Sequence, residues 1–494
     1  SIQGPSHCSN MTTIGDVVDA IGFGPSQIVA ACIGGGIWAA DGAEILMLGS
    51  ITEALSHDWE LSRFARSAVV SVVFQGVLVG NLLSGVVGDS FGRRPPVLIS
   101  YGCIVVFSVL SALTWNVWTL GFCRVFVGIA FGLGQPAWNA MCSEVSPTSM
   151  RATMNIMAGC CWCLGEMYSA VLILADDPAL KDLDWRRLLI FASFPSLILG
   201  IFASIVLPES PHVLAQRGKF AAARKVLARM AAFNGRSEAA EKSMRLCPKL
   251  ADCEDNTDSD TEEDESVSSE DDVEIHNGMT YCEKLRILWG PKLRFTSATV
   301  CISCFTCNFL YYGGVYSFPQ ILPHLPLKIS PAANLFLGAF FEVLGTFLSV
   351  LAMRMSDRKG NFQIGFGTQI LSMGIFLFGL LMQTPLSDMA MQVGFLGMKL
   401  TILIPFNAFY IYSTEVYPTA VRATGTASCI ACGRIGAILC PFAYEFLSHH
   451  SGTSKEKECW SFFAFLIVLT ALNAVLAVFL PFETKGKKLL EELE

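Results

Sequence analysis

The sequence predicts an all-α membrane protein of twelve transmembrane helices, arranged as two pseudo-symmetric six-helix halves. Three observations predict it. Of 494 residues, 52% are hydrophobic and only 15% charged, against roughly 25% charged in an ordinary soluble domain, so most of the surface cannot face water and a soluble enzyme is disfavoured. Charge-free runs such as Pro95 to Cys123, Ile190 to Leu207, Asn361 to Ser387 and Trp460 to Phe482 are too long for soluble core helices. Finally, three kinds of signal recur in one order: Asp89 and Asp357 lie 268 residues apart, Glu144 with Arg151 and Glu415 with Arg422 lie 271 apart, and Glu209 and Glu483 lie 274 apart. A near-constant offset implies a duplicated half.

In chain order, residues 1–25 form an N-terminal segment, 26–207 the first half, 208–291 a linker, 292–481 the second half and 482–494 a tail. Spans are expected near 26–51, 66–88, 96–115, 117–142, 152–175, 187–207, 294–317, 331–353, 362–383, 389–413, 422–446 and 460–481. With both termini cytosolic, inner loops and tails hold 23 Lys and Arg, outer loops 8 and spans 3, which agrees with the positive-inside rule. The sequence does not choose between plasma membrane and intracellular vesicle. No secretory-signal pattern occurs in the first 25 residues, and Ser1 is expected to follow a missing or removed piece.

The net charge of -8 comes from one tract: residues 251–274 carry 13 acids and no Lys or Arg, a composition that does not fold. In it, Ser259, Thr261, Ser268 and Ser269 each precede an acid by three residues and suit an acidophilic kinase; the alternative is a solvated spacer. A basic helix is expected at 221–230 and a re-entry helix near 280–290. The 18 cysteines fall mostly in apolar stretches and read as buried thiols. The CxxC pairs Cys160, Cys163 and Cys301, Cys304 lack further ligands, so no metal site is expected.

Ionisable residues inside spans are costly and by default face a wet cavity or a partner. Asp41 and Glu44, three apart, share a face of the first span; Arg124, Glu166, Glu342, Lys399 and Arg434 follow in the fourth, fifth, eighth, tenth and eleventh. Asp41, Glu44 and Glu166 are the candidates for proton coupling, with a fixed pair of Asp41 to Arg124 or Arg434 as the alternative. Lys399, Arg434 and Arg124 are candidates for a substrate carboxylate, although Lys399 and Arg434 could equally pair with Glu342. Asn308, Tyr311 and Tyr312 in the seventh span would suit a planar solute or simply pack in the core. Two parallel halves around a midplane cavity are what a rocking transporter requires.

The loop GxxxDxxGRR (Gly85, Asp89, Gly92, Arg93, Arg94), the two E-x6-R motifs, PESP at Pro208 to Pro211 and PFETKG at Pro481 to Gly486 together resemble the major facilitator superfamily. Within it, VVDAIGFGPSQ, DGAE, EVYPTAVRATG and GRIGAILCPF resemble the SVOP-like branch, related to synaptic-vesicle transporters and similar to carriers of aromatic acids and nicotinate. The resemblance implies a clamp between the halves on the cytosolic face, built from Gly85, Asp89, Gly92, Arg93, Arg94, Glu144, Arg151 and Glu209 with Asp357, Arg358, Glu415, Arg422 and Glu483. Plain topology-marking charge is the alternative. The second copy departs from pattern, with Met353 in place of a glycine. The same resemblance maps a first-span D-G-x-D/E motif required for transport onto Asp41, Gly42 and Glu44.

Short outer loops argue against the large ectodomains of organic cation transporters and synaptic-vesicle glycoproteins, SCFTCNFLYYGG against a hexose signature, and the absence of a Walker loop against a primary pump. The expected function is secondary active transport of a small organic solute, an organic or aromatic carboxylate with proton coupling, without a cofactor and without nucleic-acid partners. An organic cation or sugar carrier, and a non-transporting sensor or scaffold, are the alternatives.

Overall fold

A computed structural model describes residues 13–247, 250, 280–382, 386–418, 421–448 and 459–485. The kinase candidates Ser259, Thr261, Ser268 and Ser269 lie outside the described residues, as does the side chain of Asp89. Among the described residues, twelve helical stretches are long and apolar enough to cross a membrane: α1 (Pro25–Trp59), α2 (Arg63–Phe91), α3 (Arg94–Ala112), α4 (Val117–Val145), α5 (Arg151–Asp176), α6 (Trp185–Ala192 and Phe194–Val206), α7 (Arg294–Ile321), α8 (Pro331–Met355), α9 (Arg358–Leu381), α10 (Ser387–Thr401 and Leu403–Glu415), α11 (Arg422–Leu447) and α12 (Trp460–Val478). The predicted architecture is the observed one.

Local chemistry sets the ends. Ser62, Asn116 and Ser330 accept the N–H of Ala65, Thr119 and Ala333 at the starts of α2, α4 and α8, which satisfies donors that a helix leaves open. Pro136, Pro319 and Pro441 stand inside α4, α7 and α11, where each removes a backbone donor. Large side chains such as Leu82, Ile205 and Leu472 point outward, as a lipid solvent demands. Trp115 and Trp118, both highly exposed at the turn between α3 and α4, suit the membrane–water interface.

An even number of spans puts α1 and α12 on the same side at their chain-terminal ends. On that side the helix Ile14–Ile21, opened by a Thr13–Asp16 capping box, packs on the linker helix Ser237–Arg245. Ser26 N–H donates to Asn234 (2.9 Å) and Thr148 N–H to Asp19 (2.7 Å), tying this polar layer to the first half. We call this side the terminal face and the opposite one the far face.

The halves meet where α5 packs on α8, α2 on α11 and α1 on α7. The DGAE glycine has its use within the first half: a Cβ on Gly42 would fall on the Trp162 carbonyl of α5, so only glycine permits that approach of α1 and α5.

Candidate functional site

The in-span charges converge on the middle of the bundle, in two groups. In the first, Arg124 donates to Glu44 at 2.6 Å, and Ser108 donates to the same carboxylate at 2.6 Å. Both partners of this pair are buried, so Glu44 and Arg124 engage each other rather than the cavity. Asp41 takes neither arginine as a hydrogen-bond partner: it accepts from Gln135 of α4 at 2.7 Å, while facing Arg434 of α11 electrostatically across the interface of the halves. Among the described residues Arg434 makes one hydrogen bond, to the Tyr312 hydroxyl at 3.2 Å. Asn308 turns back onto its own helix, to the Cys304 carbonyl at 2.9 Å, behind Gly433.

The second group sits between α5, α7, α8 and α10. Lys399 donates to Glu166 at 3.1 Å and to Glu342 at 2.8 Å. Tyr311 donates to Glu166 at 2.8 Å and accepts from Trp162 Nε1 at 2.5 Å. Lys399 is thus held by two carboxylates. Aromatic rings join the groups: Trp38 and Trp162 lie 6.2 Å apart, Trp162 and Tyr312 6.2 Å, and Tyr311 and Tyr312 5.2 Å. Trp162, Tyr311 and Tyr312 are buried, and rings at these spacings make an aromatic sleeve of the kind that suits a flat or cationic group.

On the terminal face the repeated motifs build two copies of one joint. Glu209 accepts from the N–H of Arg93 (2.8 Å) and Arg94 (3.2 Å), and Arg93 pairs with Glu144 at 3.4 Å. In the second half Glu483 accepts from the N–H of Arg358 (3.0 Å) and Lys359 (3.1 Å), and Arg358 pairs with Glu415 at 2.8 Å. Each glutamate therefore caps the helix after the motif loop, and each arginine ties it to the helix ending in E-x6-R. Burial alone would raise the Glu483 carboxyl, but the N–H groups of Lys485, Lys359, Arg358 and Thr484 hold it below its ordinary value. Gly92, at φ +97°, carries the turn, and a Cβ there would meet the Glu209 carboxylate.

Arg94 reaches the Ser204 carbonyl, Arg151 the Ser143 carbonyl and Arg422 the Tyr417 carbonyl, while Gly85 has open space around it. Asp357 starts α9 exposed, without a side-chain cap bond. Burial lowers the His212 imidazole below its ordinary value beside Glu144 and Arg151. In this conformation the described contacts of Glu144, Glu209, Arg358, Glu415 and Glu483 stay within their own halves.

The polar ties between halves described below lie at the centre and toward the far face. Arg66 of α2 donates to Glu53 (2.7 Å) and to Gln320 of α7 (2.8 Å), and pairs with Glu445 of α11 at 3.2 Å. Tyr316 donates to Glu445 at 2.7 Å. Ser71 reaches the Ile438 carbonyl and Ala332 N–H the Pro178 carbonyl. Sequence reasoning missed this network, because charges near span ends look like ordinary loop flanks. Replacing Arg66 by Gln is expected to raise far-side maleimide labelling of a cysteine placed at Thr52, buried on α1, roughly fivefold, the worth of a pair at about 1 kcal/mol. An unchanged rate would show that the tie carries no weight in closing this face.

The sugar (and other) transporter model matches residues 42–494. The chain belongs to this family. "Organic cation/carnitine transporter 7" of Arabidopsis thaliana is 29% identical over 97% of this chain and 96% of its own length. The Xenopus laevis "Synaptic vesicle 2-related protein" is 27% identical over 96% and 82%. Among solved structures, the inward open conformation of the E. coli xylose transporter XylE covers 94% of this chain and 97% of its own at a TM-score of 0.68 and 17% identity, a likeness of fold. The chain is accordingly a multi-pass membrane transporter of the major facilitator fold, in contact with the bilayer and with SVOP-like proteins among its relatives. Among the described residues no cluster of three or more His, Cys, Asp or Glu could hold a metal ion.

Proposed function

We propose that the chain moves a small organic carboxylate by alternating access, with one proton carried on Asp41. The observation that carries this reading is a pair of buried charges from different halves, Asp41 held by Gln135 and Arg434 held by Tyr312, neither in a salt bridge among the described residues. A solute carboxylate docks bidentately on the guanidinium, and a flat ring enters the sleeve of Trp38, Trp162 and Tyr312. Two carboxylates beside one arginine exceed its charge, so Asp41 takes a proton as the solute binds, and solute and proton travel together. Glu44 and Arg124 serve as a fixed pair that holds α1 against α4. Lys399 is occupied by its own carboxylates, which leaves Arg434 as the anion contact. The repeated joints around Glu209 and Glu483 move as rigid corners of their halves, and the terminal face, with both termini, is cytosolic.

An organic cation is the second reading, favoured by Asp41 beside aromatic faces and by the printed name of the Arabidopsis relative. The test is proteoliposome uptake of nicotinate, benzoate and a quaternary amine, with and without an inward proton gradient. Acid uptake that rises with the gradient supports the proposal. Amine uptake alone overturns it in favour of the second reading.

A further inference from the structure

A groove on the outer side of the seam between α2 and α11 stands apart from the central site. It encloses about 610 Å³, within the range of sites that hold a small organic molecule. On one side Phe64 of α2 meets Phe442 of α11, ring centroids 5.6 Å apart. On the other, Phe309 of α7 lies 5.6 Å from Phe305 and 5.8 Å from Phe465 of α12. Phe64 and Phe446 are 64% and 68% exposed, so the groove opens toward lipid. From Phe446 it descends along α11 to Leu439, seven residues or about 10 Å toward the bilayer centre.

Its far-face end is polar. Arg63, the first residue of α2, is exposed, and its side chain makes no ion pair or hydrogen bond among the described residues. The positive end of the α2 dipole adds to its charge. Two acids are near: Glu60 is exposed, and Glu445 on the inner wall is taken by Arg66 at 3.2 Å and Tyr316 at 2.7 Å. Ser67 turns its hydroxyl back to the Arg63 and Phe64 carbonyls. An apolar slot under one open cation matches a hydrocarbon tail with an anionic head. A partner helix, 10–12 Å across, would need about 1,000 Å³ over the same depth.

The groove is shared between the halves. Arg63, Phe64 and Ser67 belong to the first and the remaining walls to the second, so it is complete only while the α2–α11 seam is closed at the far face. The Arg66–Glu445 tie lies directly behind it.

We propose that this groove binds one anionic phospholipid of the far leaflet, an acyl chain between the phenylalanines and the phosphate on Arg63, and that the bound lipid holds the far face closed. A ligand that binds one conformation favours it by 1 + [L]/Kd, so lipid at its own dissociation constant about doubles the closed-to-open ratio. The site requires neither solute nor proton, and it stands apart from the carboxylate reading.

The test uses the full chain in phosphatidylcholine nanodiscs, with phosphatidylglycerol that carries a photoactivatable diazirine in its acyl chain. Mass spectrometry is expected to find adducts concentrated on residues 305–309 and 439–446, displaced by unlabelled phosphatidylglycerol and not by further phosphatidylcholine. Arg63→Gln should weaken that displacement about fivefold, the worth of one arginine beside anionic headgroups. Ala443→Trp, which fills the slot, should abolish the adducts there. Hydrogen–deuterium exchange at residues 49–60 and 315–335, outside the groove, should slow at least about twofold when phosphatidylglycerol is added to the wild type. The slowing should shrink in Arg63→Gln and vanish in Ala443→Trp. Arg63→Gln changes an exposed residue and keeps the proposal testable if Ala443→Trp fails to fold. Adducts spread evenly over the lipid-facing residues of all spans would overturn the proposal, as would equal slowing in all three proteins or none in the wild type. Slowing by glycerol 3-phosphate alone would reduce the site to an anion contact and overturn the lipid assignment.

Discussion

Arg434→Met is expected to weaken binding of a carboxylate solute by roughly 10- to 150-fold, the range for losing hydrogen bonds to a charged group worth about 1.5–3 kcal/mol. Arg434 is 7% exposed with a single hydrogen bond to Tyr312, so its removal takes away the anion contact and leaves Asp41 without a facing cation. Arg434→Lys should recover part of the loss, because an ammonium keeps the charge but cannot present the bidentate fork. Equilibrium binding of labelled nicotinate or benzoate to the purified protein measures both. Equal affinity in all three proteins would remove Arg434 from the site, while tighter binding of a quaternary amine in Arg434→Met would favour the organic-cation reading.

Arg124→Met should be among the most destabilising single changes in the first half. The pair it breaks is buried on both sides, with 2.6 Å between Arg124 Nη1 and Glu44. Removing one partner of a buried ion pair costs about 3–5 kcal/mol, because the other charge is left uncompensated, whereas replacing both with apolar groups is often neutral. The double change Arg124→Met, Glu44→Leu is therefore expected to regain most of the loss. Thermal unfolding of the purified variants in one detergent reads the difference. A single variant as stable as the wild type would mean that the carboxylate is compensated elsewhere.

The spans were legible because membrane insertion writes itself in composition: a lipid-facing helix cannot carry charge every few residues, so the runs stand out without any knowledge of partners. The repeat was legible because Glu209 and Glu483 each cap a helix and each motif arginine ties to a glutamate of the same half, local geometry that a duplicated sequence reproduces. Who pairs with whom was not legible. Asp41 and Glu44 are three apart, but three residues advance about 4.5 Å along the axis and turn about 300°, enough to send one to Gln135 and the other to Arg124. Lys399 could have met a solute, and the acid that claims it from the other half, Glu166, lies 233 residues away. The far-face network escaped for a similar reason: Glu53, Arg66, Gln320 and Glu445 come from four helices and form a set only in the folded chain.

The most direct measurement of the central claim is proton movement with solute: proteoliposomes holding an internal pH dye, given an outward-to-inward nicotinate or benzoate gradient with no imposed pH difference. The account predicts internal acidification that keeps pace with uptake in the wild type. In Asp41→Asn it predicts a substantial loss of that acidification per solute moved, with solute exchange retained. Solute flux with no acidification in the wild type, or the same acidification per solute in Asp41→Asn, would contradict it.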